Sequence, residues 1–318
     1  MFLCVSPNPA IDKRLVVPSL VRGQVNRVRA ARSFPGGKSV HVAMVLHTLG
    51  GKPHWIGPCG GESGQELLTG LSALEIEATA SRTRQPTRTN LEIVEDDGSV
   101  TEILEPGAAP SPAEWATFEN ACKTLFAKGS ENASVVFSGS LPAGCAPRLY
   151  AGLVANAREL GCKTFLDTSG EPLRLALAEK PYLAKPNREE AGELLGKPVV
   201  SLPDAFSAIR KLLSLGAQSA ALSLGSEGLL FCASVDAPVL FAPAVPLQPR
   251  STVGCGDSAM AGFVFGIASG YSPQDTLRLA AACGGANCLA DSPGAGRLKD
   301  IRDFQKQISV RTITSDAR

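Results

Sequence analysis

From residue 112 onward the chain alternates between two hydrophobic periods. Apolar residues at helical spacing over Pro112–Lys128 give way to the short apolar run Ser134–Ser138, and Pro147–Leu160 leads in the same way to Lys163–Asp167. Pro172–Glu179 leads to Tyr182–Lys185, and the pair Arg188–Leu195 and Asp204–Leu215 leads to Ser219–Leu224. Parallel strands need a long crossover between them, and helices of this length supply it. The pattern therefore predicts βαβ units, a mostly parallel sheet and helices on both of its faces. In such sheets a ligand sits beyond the carboxyl ends of the strands.

Before residue 112 the pattern is different. Phe2–Ser6 reads as a short strand ending at the turn Pro7-Asn8-Pro9, and Ser39–Leu49 as a helix that stops at Gly50-Gly51. Leu15–Val17, Val25–Ala31 and Thr89–Val94 read as short strands, and Asp96-Asp97-Gly98 turns the chain into a further strand at Val100–Leu104. These strands form a small group set aside from the main sheet. The Pro-rich run Ala237–Pro249 reads as a turn-rich edge segment, and the polar tail Thr312–Arg318 as a frayed end. With no internal repeat, low-complexity tract or linker, residues 1–318 read as a single domain.

Composition excludes several functions. Of 318 residues 44% are hydrophobic and 19% charged, and the net charge is +1, so no overall field points to nucleic acid or an anionic membrane. Aromatics at 5% leave little for base stacking. No apolar run approaches the roughly 18 residues of a membrane span, and the N-terminus lacks the features of a signal peptide. A cytoplasmic enzyme is the expectation. The nine cysteines form no Cys-x-x-Cys pair and there are three histidines, which argues against structural zinc and for reduced thiols used mostly as small core residues.

The chemistry concentrates in glycine and polar clusters. Ser251-Thr252-Val253-Gly254-Cys255-Gly256-Asp257-Ser258 runs into the small, apolar helix Ala259–Ala268. A Gly-x-Gly loop at a helix N-terminus presents unpaired N–H groups where the dipole also favours negative charge. An aspartate at its mouth can take a proton from a hydroxyl that is bonding to phosphorus, or can simply cap the helix. Phe34-Pro35-Gly36-Gly37-Lys38-Ser39 opens the first helix with glycines and a cation, or is a plain loop-to-helix turn. Ser138-Gly139-Ser140-Leu141-Pro142, Asp167-Thr168-Ser169-Gly170 and Ser223-Leu224-Gly225-Ser226-Glu227-Gly228 each follow a strand. In Lys185-Pro186-Asn187-Arg188-Glu189-Glu190 the Asn187–Glu190 spacing suits either a Mg²⁺ held through water or a capping box. Walker A and Rossmann glycine fingerprints are absent.

The order of these clusters, preceded by Asn8-Pro9-Ala10-Ile11-Asp12 and joined by Thr87-Arg88-Thr89-Asn90, resembles the PfkB (ribokinase-like) sugar kinases over about residues 2–305. The resemblance is to the branch that acts on phosphorylated hexoses. It implies a three-layer α/β/α domain with a mostly parallel sheet and a small β-sheet lid drawn from about residues 12–33 and 87–106. It also implies a homodimer through the lid, and ATP and Mg²⁺ as cofactors. Asp257 would be the base, with backbone N–H groups of Gly254, Cys255 and Gly256 stabilising the transferring phosphoryl. Asp12, Gly37, Lys38, His41, Arg88 and Ser138 would hold the sugar and its phosphate. Lys185, Asn187, Ser223, Gly225, Gly228 and Asn287 would contact the nucleotide, with Asn287 on the adenine edge formed by 284–287 and Glu190 on Mg²⁺ through water. A dianionic sugar phosphate needs cations, and Lys38 and Arg88 supply them.

The chain departs from the family pattern at Ser39 for glycine, His41 for a sugar-binding asparagine and Cys255 for alanine. Glu92 stands where the fructose-1-phosphate type tends to carry lysine, and would repel a phosphate there. The expected activity is phosphorylation of a phosphorylated ketohexose, with 1-phosphofructokinase slightly ahead of a minor-type 6-phosphofructokinase or a tagatose-6-phosphate kinase. A catalytically silent nucleotide- or sugar-binding regulatory protein is the alternative from another class.

Overall fold

The computed structural model describes residues 1–129 and 133–315. In chain order the elements of its main sheet are β1 (Phe2–Val5), β4 (Pro53–Cys59), β5 (Glu77–Arg82), β8 (Ser134–Ser138), β9 (Lys163–Asp167), β10 (Leu183–Ala184), β11 (Ser219–Ser223), β12 (Gly228–Cys232), β13 (Val239–Pro243) and β14 (Arg311–Ile313). The strands lie in the order β14-β13-β12-β11-β10-β9-β8-β1-β4-β5. Pairing is parallel from β5 through to β11, and antiparallel from β11 to β14. A second, mixed sheet of β3 (Ala30–Gly36), β2 (Ala10–Val17), β6 (Arg88–Glu95) and β7 (Val100–Leu104) stands apart, in that order.

Both faces of the main sheet are buried, and the side chains alternate between two cores as strand geometry requires. Leu3, Val5, Val135, Phe137, Leu166, Ala220 and Leu222 enter one core; Cys4, Val136, Phe165, Leu183 and Ala221 enter the other. The first core is closed by α3 (Pro112–Gly129), α4 (Leu149–Glu159), α5 (Gly170–Leu177), α6 (Arg188–Leu195) and α7 (Leu202–Ser214). The second is closed by α1 (Lys38–Thr48), α2 (Gly61–Ala73), α8 (Cys255–Ala268), α9 (Pro273–Cys288) and α10 (Leu298–Gln307). Helices α8 and α9 approach closely because their facing residues are small: a Cβ built at Gly262 would stand 2.6 Å from Ala280 Cα.

Several expectations are corrected. The segment expected as a strand at Val25–Ala31 is irregular up to residue 29, with Val25 82% exposed. The strand is β3, which runs on through Phe34-Pro35-Gly36 and pairs with Ala10–Asp12 of β2. Pro35 is tolerated because β3 is an edge strand, where a missing N–H costs no ladder bond. The supposed turn-rich segment after Ala237 contains β13, and Thr312 and Ile313 of the expected frayed tail belong to β14, which pairs with β13; residues 316–318 of that tail lie outside the described residues. No helix among the described residues is long and apolar enough to cross a membrane.

Candidate active site

A cavity of about 440 Å³ opens at the carboxyl ends of β8, β9, β10 and β11, roofed by β6 and β7 of the small sheet and floored by the starts of α1 and α8. It is lined by Asp12, Gly37, Lys38, His41, Arg88, Ser138, Lys185, Asn187, Glu190, Ser223, Gly254, Gly256 and Asp257. Residues from most of the chain length thus converge where an α/β sheet accepts a ligand.

The start of α8 is built for an anion. Gly254 is its N-cap with φ +79°, a conformation L-residues avoid, and a Cβ there would come within 2.8 Å of Pro293. No side chain caps this end. The Cys255 N–H, expected among the phosphoryl-facing donors, is spent on the Thr252 carbonyl at 3.2 Å. Asp257 lies in the first turn and is 5% exposed. A Cβ at Gly256 would lie in ordinary contact with Lys185 Nζ at 3.6 Å, which places the lysine's ammonium against the helix mouth.

Two cations flank one buried carboxylate behind that mouth. Asp167 Oδ2 is 2.7 Å from Lys185 Nζ, and its Oδ1 accepts from Lys38 Nζ at 3.1 Å. Burial alone would raise the Asp167 carboxyl, but the charges of Lys185 and Lys38 outweigh it and hold it below the usual carboxylate range. Burial would likewise lower Lys38, and Asp167, Asp257 and Glu190 together raise it instead. Lys38 therefore faces the Asp167 and Glu190 side of the cavity, with Glu190 Oε1 3.6 Å away.

The two readings of Asn187 and Glu190 are geometrically compatible. Asn187 Oδ1 accepts from the Glu190 N–H at 2.8 Å, and Glu190 Oε2 accepts from the Asn187 N–H at 2.8 Å, a complete capping box. Glu190 Oε1 is left toward the cavity beside Lys38. At the other end Asp12 Oδ1 accepts from Asn90 Nδ2 at 2.9 Å and its Oδ2 receives His41 Nε2, also at 2.9 Å. Arg88 donates to the Glu105 carbonyl while its Nε is buried without a partner, and Ser138 Oγ is buried and unpartnered as well. Such orphaned groups in a cavity wall are what a polar ligand would satisfy.

Some expected residues do not reach the cavity. Asn287 is 2% exposed within α9, where its amide donates to the Val253 carbonyl and accepts from the Gly294 N–H, both at 2.7 Å. The neighbouring glycines serve packing: a Cβ at Gly284 would press on the Cys255 carbonyl at 3.3 Å, and one at Gly285 on the Phe304 ring at 3.3 Å. Gly228 opens β12 with φ +128°, and a Cβ there would collide with the Ala242 carbonyl at 2.1 Å, which explains the glycine without any phosphate. Gly225 is exposed and also lies outside the cavity lining. The Cys255 thiol turns to Cys288, Sγ to Sγ 3.1 Å.

The departures find local reasons. Ser39 Oγ donates to the Val5 carbonyl at 2.5 Å, with the Ser138 carbonyl 3.0 Å away, and so pins α1 to the ends of β1 and β8. Glu92, expected to repel phosphate, is buried and gripped by Arg14 at 2.7 and 2.9 Å, with Ser251 Oγ donating at 3.0 Å. Its charge is balanced from within the lid. Asp167 and Asn90 are the site residues that sequence reasoning did not assign. An aspartate closing an apolar strand was the available signal for the first; Asn90 carried none beyond its nearness to Arg88.

The sequence profile of the pfkB family carbohydrate kinases matches residues 7–299. A 1-phosphofructokinase of Rhodobacter capsulatus is 36% identical over 279 residues, 87% of either chain. A 1-phosphofructokinase of Vibrio cholerae is 31% identical over 97% of this chain and 96% of its own. Among solved structures, phosphofructokinase-2 from Escherichia coli in complex with substrates and products superposes with TM-score 0.89 at 26% identity, covering 96% of this chain and 98% of the other.

Proposed function

The chain belongs to the pfkB family of carbohydrate kinases, and from that premise we propose that it transfers the γ-phosphoryl group of ATP to fructose 1-phosphate, giving fructose 1,6-bisphosphate. The observation that carries this is Asp257 in the first turn of α8, beside a glycine-built, uncapped helix mouth that Lys185 overlooks. In the transfer the sugar's 6-hydroxyl oxygen bonds to the γ-phosphorus, its proton passes to the Asp257 carboxylate, and the bond to the ADP oxygen breaks. N–H groups at the start of α8, with Lys185, would offset the charge on the phosphoryl oxygens. Asp12 would accept from the sugar hydroxyls, with Gly37 and Ser138 around the same ring and His41 behind Asp12. Arg88, whose Nε is unsatisfied, would grip the existing phosphate, and Lys38 would bridge toward the transferred one.

Asn187, Ser223 and Glu190 line the cavity and would contact the nucleotide. Glu190 Oε1 faces the cavity beside Lys38, and Glu190 would hold Mg²⁺ through water together with the ATP phosphates. When bound, Mg²⁺ neutralises phosphate charge and orients the chain of phosphates.

The runner-up acceptor is fructose 6-phosphate, the ligand in another Escherichia coli phosphofructokinase-2 structure at 25% identity and TM-score 0.88. The Arg14–Glu92 pair removes the main electrostatic objection to fructose 1-phosphate, and the curated relatives named above favour it. The lid exposes Ile103 and Leu104 at 52% and 57%, which supports a homodimer through this sheet. Sugar-dependent ADP release, compared for fructose 1-phosphate, fructose 6-phosphate, tagatose 6-phosphate and free fructose, tests the proposal. A preference for fructose 1-phosphate that Asp257→Asn abolishes upholds it. Preference for another phosphosugar reassigns the acceptor, and ATP binding without turnover on any of them selects a silent binding protein.

A further inference from the structure

His41 occupies a position unlike any other ionisable group in the cavity. Its Nδ1 lies 2.8 Å from Asp257 Oδ2 and its Nε2 2.9 Å from Asp12 Oδ2. An ionised carboxylate can only accept hydrogen bonds, so a ring placed between two of them bonds to both only by donating from both nitrogens. Two buried carboxylates this near one another repel unless a cation separates them.

The surroundings fix the arrangement. Asp12 is held from β6 by Asn90 and approached by the Gly37 N–H at 3.4 Å. The loop after α9 closes over His41 so tightly that a Cβ at Gly294 would stand 2.9 Å from His41 Cα. The ring is 6% exposed in its side chain. Besides the two aspartates, the charged groups around this cluster are Lys38 on α1, Arg88 on β6 and Glu102 on β7. Burial alone would lower the imidazole, but its hydrogen bonds to Asp12 and Asp257 and their charges raise it to about 10. The same partnership holds Asp12 below the usual carboxylate range against the effect of its burial.

We propose that His41 is a positioning residue for phosphoryl transfer: as a double donor it locks Asp257 through one carboxyl oxygen, leaves the other to face the acceptor hydroxyl, and ties the base rigidly to the aspartate that holds the sugar. This rests on the kinase reading given above. An asparagine amide carries both of its donor hydrogens on one nitrogen, so it does not span two carboxylates set against separate ring nitrogens as they are here. His41 thus couples sugar placement to the base in a way an amide cannot.

Two measurements test it. With three histidines in the chain, ¹H–¹⁵N spectra of the wild type at pH 8 can be assigned; both His41 ring nitrogens should carry protons, and a ring with one N–H overturns the bridge. In kinetics, His41→Asn and His41→Gln should lower kcat by roughly 10- to 100-fold, a part of the roughly 10²–10⁴ that a positioned base supplies. KM for fructose 1-phosphate should move less than about threefold, since a lost positioning contact is felt chiefly in the transition state. The wild-type kcat should decline as pH rises toward 10, and the variants should lack that decline. A raised KM with unchanged kcat means the ring contacts sugar instead and defeats the proposal. An alkaline decline shared by wild type and variants defeats it too. Where neither variant folds, the wild-type spectrum and the presence or absence of its alkaline decline decide. A wild type that turns over no phosphosugar defeats the kinase reading itself, and the positioning role with it.

Discussion

Asn287 donates from Nδ2 to the carbonyl oxygen of Val253 at 2.7 Å, a bond that spans 34 residues of sequence and fastens the anion loop to α9. The same amide accepts from Gly294 N–H, so one buried side chain holds both the loop before Asp257 and the loop that closes on His41. Asn287→Ala strands a part-buried carbonyl and a buried N–H. It should cost about 1–3 kcal/mol per unsatisfied group and lower kcat, with little change in KM for ATP. Urea unfolding and initial rates check this. Unchanged stability with a raised KM for ATP would return Asn287 to the adenine edge that its family resemblance implied.

The Lys185–Asp167 pair is nearly solvent-free, with side chains 3% and 2% exposed. Lys185→Met leaves Asp167 buried with Lys38 as its remaining cation. Breaking a buried pair in this way costs about 3–5 kcal/mol, read as a lower urea midpoint, and Asp167→Asn added to it should recover part of the loss. The pH dependence has a defined sign. Asp167 is depressed in the folded protein, so its contribution is present above the unfolded carboxylate value of about 3.9 and is lost as pH falls through the folded value. The wild type should therefore lose more stability on acidification below pH 4 than Asp167→Asn does. Equal acid sensitivity would mean that this carboxylate is not depressed.

Much of this was legible before any coordinates. The βα alternation after residue 112 is a period-2 against period-3.6 signal, and the glycine-to-aspartate octet carries its own backbone logic. Residues 53–82 were not legible as β4, α2 and β5, because Pro53–Cys59 mixes Gly and Pro into a buried strand and α2 carries three glycines in its own sequence. β3 was displaced because propensity favoured the valines at 25 and 28, whereas pairing with β2 chose residues 30–36. At the site, residue types pointed to phosphate chemistry, and burial and hydrogen bonding show which of those residues line the cavity. Gly228 and Asn287 looked like ligand contacts, and only the backbone behind them revealed packing and clasping. Arg14 had no motif to mark it as the partner of Glu92, which lies 78 positions away.

That partnership makes a prediction about the acceptor. Glu92 lines the cavity with its charge balanced by Arg14. Arg14→Met would leave the carboxylate uncompensated in the wall of the cavity where the proposed sugar phosphate would sit. KM for fructose 1-phosphate should rise roughly tenfold, about 1.4 kcal/mol, while KM for ATP holds. Adding Glu92→Gln should restore most of the sugar affinity by removing the charge. Failure of the double variant to recover would show that Arg14 touches the sugar phosphate directly.

Cys255 opens α8 within the glycine loop, yet its thiol points away from the cavity, toward Cys288 at 3.1 Å and Asn287 Nδ2 at 3.4 Å. The hydrogen bond to Cys288, then burial, push its pKa up, so it is a protonated packing group rather than a nucleophile. Cys255→Ala removes one sulfur but no backbone N–H from the start of α8. kcat should stay within about twofold, because backbone donors and not the side chain stabilise the transferring charge. Stability should fall by about 1 kcal/mol for the lost contact and small cavity. Steady-state rates alongside thermal unfolding test both halves. A tenfold fall in kcat without loss of stability would place the thiol at the reacting phosphoryl group, against the direction in which this structure turns it.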